Sequence, residues 1–226
     1  MADRARQRRA YDSPRRREQA QATRHAVLDA ARELFVGRGY VATTIDAIAE
    51  RARVSPETFY ATFGSKRALL TELVDVSIAG GDDQPPVFDQ AWVEELRAEP
   101  DPYRRVAILA RNGRAILERR AGVDEVVSGA AAADAAIAAL AKRSRNERYA
   151  GQRRLLEIVV GPTGLRDGID FETAVDVLYA IGSPETYRLL VIDRGWTGSR
   201  FERWYGETLA LLLLPRPTMA GRRKES

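Results

Sequence analysis

Apolar residues recur at intervals of three and four along almost the whole chain, and no stretch alternates apolar with polar residues at strand spacing. Ala, Leu, Arg and Glu dominate, all strong helix formers, so the pattern predicts an all-α protein. A first helix is expected from about Thr23, a hydroxyl residue suited to capping. It runs through Val27, Leu28, Ala31, Leu34 and Phe35 and stops at Gly37 or Gly39. Thr43, Ser55 and Ser65 open three more, the last reaching about Ala79. Gly80-Gly81-Asp82-Asp83-Gln84-Pro85-Pro86 then breaks the pattern, and the domain boundary is placed there. Beyond it, helices are expected at about 102–120, 123–129, 132–160, 170–182, 184–194 and 199–214, with Pro215 and Pro217 as stops. Gly182-Ser183-Pro184 leaves open whether 170–194 is two helices or one kinked helix. The division is a disordered arm at 1–22, a helix-turn-helix unit at 23–79, a larger helical domain at 87–215 and a disordered tail at 216–226.

The second and third helices carry the most informative pattern. Thr43-Thr44-Ile45-Asp46 has a hydroxyl followed three residues later by an acid, the capping-box spacing, so Thr43 is expected to start the second helix. Ser55-Pro56 opens the third with an N-cap and a proline at the first helical position, and Val54 is placed to staple onto Phe59. Phe59 and Phe63 lie four apart on one face, which leaves Glu57, Thr58, Tyr60, Ala61 and Thr62 wholly or partly on the other. A short helix exposing small and hydroxyl side chains suits a DNA major groove, with the pair forming a helix-turn-helix. Lys66 and Arg67 then sit in the first turn of the fourth helix, where the macrodipole disfavours cations. A phosphate bound beside that N-terminus resolves the conflict; a merely solvated pair is the alternative.

Residues 39–70 resemble the DNA-binding domain of TetR-like transcriptional regulators without a gap, most specifically at Val54-Ser55, Phe59-Tyr60, Phe63 and Lys66. The resemblance implies an N-terminal three-helix helix-turn-helix domain followed by a larger C-terminal helical domain for dimerisation and ligand binding. It implies that Thr43 or Thr44, Tyr60 and Lys66 hold phosphates, while Ser55, Pro56, Glu57, Thr58 and Thr62 lie at or near the groove. Side-chain chemistry agrees, because Tyr60 and the threonines donate to phosphate oxygens. Glu57 can accept from a cytosine amine, or serve only as a partner of the helix dipole. Two positions depart from the family. Arg53 stands in the turn where Gly is usual, so either the turn differs or Arg53 takes a positive φ at some cost. Thr62 replaces a common His.

The C-terminal half supplies apolar helices with more than one apolar face, at 171–192 and at 201–214, and a helix apolar on two faces needs two partners. In TetR-like proteins the last two long helices pair with their symmetry mates, so a homodimer through this region is implied. Asn112 on the stripe of Val106, Leu109 and Ile116, and Tyr149 and Gln152 beside Leu155, Leu156 and Val159, are the candidate ligand contacts. Edge positions on an apolar stripe are the plainer reading of all three.

Charge sharpens the picture at the N-terminus alone. The chain carries +4 overall, but residues 1–24 hold eight arginines against Asp3, Asp12 and Glu18, a net +5, suited to phosphates or a minor groove. With no cysteine and one histidine, His25, thiol chemistry and paired-histidine metal sites are excluded, and neither a cofactor nor a metal is expected. No phosphate loop, nucleophile elbow or dinucleotide fingerprint is present. No apolar run reaches the roughly 20 residues of a membrane span, so a cytoplasmic, nucleoid-associated protein is expected. The reading is a non-enzymatic, ligand-responsive repressor that binds a palindromic operator as a homodimer and is released by a small-molecule inducer. A DNA-binding regulator without a small ligand and, remotely, an all-α enzyme are the other classes.

Overall fold

The computed structural model describes the backbone of residues 2–216 and the side chains of residues 15–216; the expected tail beyond residue 216 lies outside the described residues. Those residues form α-helices joined by turns and short 3-10 segments, without a strand among them. The chain divides into two units, one made of Met1–Asp82 with Gly122–Ala141, the other of Asp83–Ala121 with Lys142–Ser226.

The first unit contains α1 (Ala2–Arg38), α2 (Ile45–Ala52), α3 (Pro56–Phe63) and α4 (Lys66–Ala79). Its core gathers Val27, Ala31 and Phe35 from α1, Ile48 from α2, Phe59 and Phe63 from α3, and Leu69, Leu70 and Leu73 from α4. Residues 122–141, assigned by sequence to the C-terminal domain, join this core through Val123, Val126, Val127, Ile137 and Leu140. They belong to the end of α6 (Pro102–Ala131) and the start of α7 (Ala135–Val160), helices that contribute to both units. The two helices expected at 102–120 and 123–129 are thus one. Gly122, between the two expected ranges, sits inside it where a Cβ would come within 3.0 Å of a Val36 methyl, so the glycine serves close approach. Asp134 caps α7, its carboxylate accepting from the amides of Ala136 and Ile137.

Two further corrections concern helix starts. Helix α1 begins at Ala2, so the stretch expected as a disordered arm continues the first helix. Helix α2 is capped by Thr44, whose Oγ1 accepts from the Ala47 amide at 3.1 Å, and not by Thr43. Thr43 is buried, its hydroxyl donating to the Leu34 and Gly39 carbonyls at the end of α1.

The second unit adds α5 (Ala91–Ala98), which the sequence reading missed, α8 (Phe171–Ile181), α9 (Pro184–Tyr187) and α10 (Gly198–Leu213). Ser183 caps α9 through the Thr186 amide, so 170–194 is two helices, the second passing into a π-helical turn at Arg188–Asp193. Phe201, Tyr205, Leu209 and Leu213 of α10, spaced by four, form one buried row against Leu178, Leu156 and Leu96.

Candidate nucleic-acid interface

The turn between α2 and α3 sets the angle at which α3 is presented. Arg53 adopts φ 57°, ψ 42°, the only positive φ outside glycine among the described residues. Its amide donates to the Glu50 carbonyl at 3.1 Å and that of Val54 to the Ala49 carbonyl at 2.9 Å. These two bonds make a Schellman motif, with Arg53 where glycine is favoured. The turn is therefore left-handed at Arg53, which bears the backbone cost. Arg53→Gly is expected to raise the unfolding free energy by about 1 kcal/mol, whereas Arg53→Ala leaves it near wild type. Urea denaturation distinguishes the two; equal stability of all three proteins refutes a strained turn.

Helix α3 starts at Ser55, whose Oγ accepts from the Thr58 amide at 3.2 Å, with Pro56 at the first position. Phe59 and Phe63 pin it from below, their ring centroids 5.8 Å apart, and Gly64 at φ 71° ends it. What faces outward is Ser55, Pro56, Glu57, Tyr60, Ala61 and Thr62, with Thr58 half-buried. Tyr60 is 53% exposed and lies edge-on to Phe59, so its ring is braced while its hydroxyl end reaches solvent. Thr62 donates to the Thr58 carbonyl at 2.8 Å, within the helix. Hydrogen bonding by Ser55, then by its own backbone amide, holds the Glu57 carboxyl below its usual range, which marks it as a helix-start residue. Thr44 is exposed on the neighbouring cap, so of the two threonines it alone belongs to this surface.

Lys66 is placed differently from its expected role. Its ammonium donates to the carbonyls of Tyr40 at 2.9 Å and Thr43 at 2.7 Å and lies 4.3 Å from the centroid of the Tyr40 ring. Partial desolvation pushes its pKa down. The lysine clamps the turn between α1 and α2, whose carbonyls supply the negative end that the start of α4 lacks. Arg67 likewise has a protein partner, Asp134, at 3.4 Å. Tyr40 carries half of this clamp and was not singled out by sequence, where nothing links it to Lys66.

In the second unit the three candidate ligand contacts do not converge through hydrogen bonds. The Asn112 amide donates to the Ile108 carbonyl of its own helix at 2.9 Å. Tyr149 packs edge-on against Tyr179, centroids 5.5 Å apart. Gln152 donates to the Gly182 carbonyl at 3.0 Å, while its buried Oε1 accepts nothing. Tyr205, unremarked in the sequence except as an apolar residue, brings its hydroxyl to within 2.4 Å of where a Gly182 Cβ would lie, and burial pushes its pKa up. Arg148 joins them, donating to the Tyr179 carbonyl at 2.9 Å with its guanidinium over the Tyr179 ring.

The profile of the family described as "Bacterial regulatory proteins, tetR family" matches residues 27–73, the span of α1 to α4 that builds this surface. An uncharacterised HTH-type transcriptional regulator of Bacillus subtilis, YdeS, is 31% identical over 181 residues, covering 79% of this chain and 84% of that protein. The chain belongs to the TetR family of transcriptional regulators. Its fold matches the fatty acid degradation regulator FadR of Bacillus halodurans with a TM-score of 0.67 at 15% identity, over 90% of this chain and 97% of that one. It also matches the Bacillus subtilis regulator FadR, solved in complex with stearoyl-CoA, with a TM-score of 0.64 at 17% identity, over 81% and 96% of the two chains. As a TetR-family protein it is a DNA-binding regulator of transcription. Among the described residues no helix is long and apolar enough to cross a membrane.

Proposed function

We propose that this TetR-family regulator is a ligand-responsive repressor that binds an inverted-repeat operator as a homodimer. The observation that carries the DNA half is the outward row of α3, a rigid rod with Tyr60 and Thr62 on its exposed side and Thr44 on the adjoining cap. Tyr60 and Thr44 donate to phosphates, fixing register, while Ser55, Pro56, Glu57, Thr58 and Thr62 lie at base edges. Lys66 acts on DNA chiefly by holding the turn that carries Thr44, with one remaining N–H for a phosphate.

One short recognition helix spans too few base pairs for useful specificity, and two-fold pairing reads two half-sites about 34–36 Å apart. Support for pairing comes from apolar residues exposed on the second unit: Leu189 and Ile192 in the π-helical turn and Leu211 on α10, at 55%, 60% and 69% exposure. Support for a ligand comes from the stearoyl-CoA complex of the Bacillus subtilis relative in fold, and from the unsatisfied Gln152 Oε1 beside Gly182 and Tyr205. The ligand favours a dimer geometry in which both recognition helices no longer reach their half-sites, a population shift.

The experiment is a titration of DNA from upstream of the protein's own gene, at two salt concentrations. Wild type is expected to bind tightly and lose affinity steeply with salt; Tyr60→Ala binds about tenfold more weakly with an unchanged melting temperature. Weak binding insensitive to salt, sequence and Tyr60 rejects the operator reading.

A further inference from the structure

We propose that the N-terminal stretch of α1 is a second DNA-contacting element, an arginine-rich helix that binds backbone phosphates beside the half-site engaged by α3. The proposal rests on the operator-binding reading and adds to it a contact that carries no base specificity.

Among the residues whose side chains are described, helix α1 packs into the first unit from Thr23 onward, and Arg15 to Ala22 are exposed. Residues 1–22 contain Arg4, Arg6, Arg8, Arg9, Arg15, Arg16 and Arg17 against Asp3, Asp12 and Glu18, and no Leu, Ile, Val, Phe or Trp. Such a segment has no apolar face to lay on a protein or in a bilayer, which sets aside docking by burial. What it offers is guanidinium groups, whose planar fork matches phosphate oxygens. Arg24, by contrast, is consumed internally, paired with Glu72 and with Asp82 at 2.7 Å.

Position agrees with charge. The Arg24 guanidinium lies 5.2 Å from the centroid of the Phe63 ring, so α1 leaves the body beside the C-terminal end of the recognition helix. At a rise of about 1.5 Å per residue, Arg15 stands about 12 Å and Arg4 about 28 Å beyond Thr23, a reach of several base pairs along the flanking backbone. The extension grows from a helix already nucleated by its packed portion, so contact with DNA need not create it. Pro14 lacks the N–H that would bond the Ala10 carbonyl, so the stretch before it is the weaker part. Arg15, Arg16 and Arg17 are therefore the residues on which the test turns.

The full-length protein with Arg15→Gln, Arg16→Gln and Arg17→Gln is titrated against the upstream DNA and against a scrambled duplex of equal length, over a salt series. The expected result is an unchanged melting temperature and a loss of at least about tenfold in affinity for both duplexes at low salt. The slope of log K against log salt should fall by about 2–3 per protomer, up to about 5 for the bound dimer, near 0.9 for each phosphate that the variant leaves unneutralised. The triple Arg→Lys variant recovers most of the slope. Affinity within twofold of wild type and an unchanged slope overturn the proposal even where Tyr60→Ala still weakens binding. Failure of the underlying reading looks different: wild type then shows no salt-dependent DNA binding, and Tyr60→Ala has no effect.

Discussion

Aspartate at Leu189 and Leu211 is expected to yield a folded monomer whose operator affinity is at least about a thousandfold below wild type. Both side chains are more than half exposed within one protomer, so replacing them removes little packing from the unit that carries them. In the two-fold dimer proposed above the same positions would face a partner, where two buried, unpaired carboxylates per subunit oppose association. A monomer presents one α3, and its binding falls toward the non-specific range of about 10⁻⁴–10⁻⁶ M instead of the 10⁻⁸–10⁻¹¹ M typical of specific complexes. Light scattering reports the mass and an operator titration the affinity. A double variant that remains dimeric places the interface elsewhere, and a monomer with wild-type affinity removes the need for pairing.

Lys66→Met is the second large effect. It deletes two charge-assisted hydrogen bonds and the ring contact with Tyr40, leaving the Tyr40 and Thr43 carbonyls to water. The expected loss is about 1–3 kcal/mol of unfolding free energy, reduced by the partial exposure of the side chain, with weaker operator binding as a consequence of a loosened turn. Lys66→Arg retains part of both. Denaturation and DNA titration on the same samples separate the roles. Stability within about 0.5 kcal/mol of wild type, together with weakened DNA binding, makes Lys66 a phosphate ligand and not a clamp.

The contrast at Lys66 shows where sequence reasoning stops. The conflict between a cation and the positive end of α4 was visible from spacing alone, and its resolution by phosphate was reasonable chemistry. The actual counter-groups are carbonyls more than twenty residues earlier in the chain, which spacing cannot locate. Thr43 and Thr44 differ for the same reason. Either hydroxyl suits an N-cap, and the choice is made by the Leu34 and Gly39 carbonyls, which draw Thr43 inside. Helix α3 was legible because its signals are local: Ser55 and Pro56 at its start, Phe59 and Phe63 on one face, Gly64 at its end. Helix α5 was missed because Val93 and Leu96 are its only fully buried apolar residues and Gln90 gives it no side-chain cap. Arg53 falls between these cases. Its identity raised two geometries that sequence left open, and the paired bonds to Ala49 and Glu50 decide for the left-handed turn.

Whether a dimer presents two recognition helices to two-fold DNA is best decided by selecting binders for the full-length protein from a pool of random duplex DNA. The expected outcome is enrichment of one inverted repeat whose half-sites lie about 34–36 Å apart, one helical turn or a multiple of it. A pool that stays random after repeated rounds, or that converges on a single unpaired site, contradicts a two-fold reader.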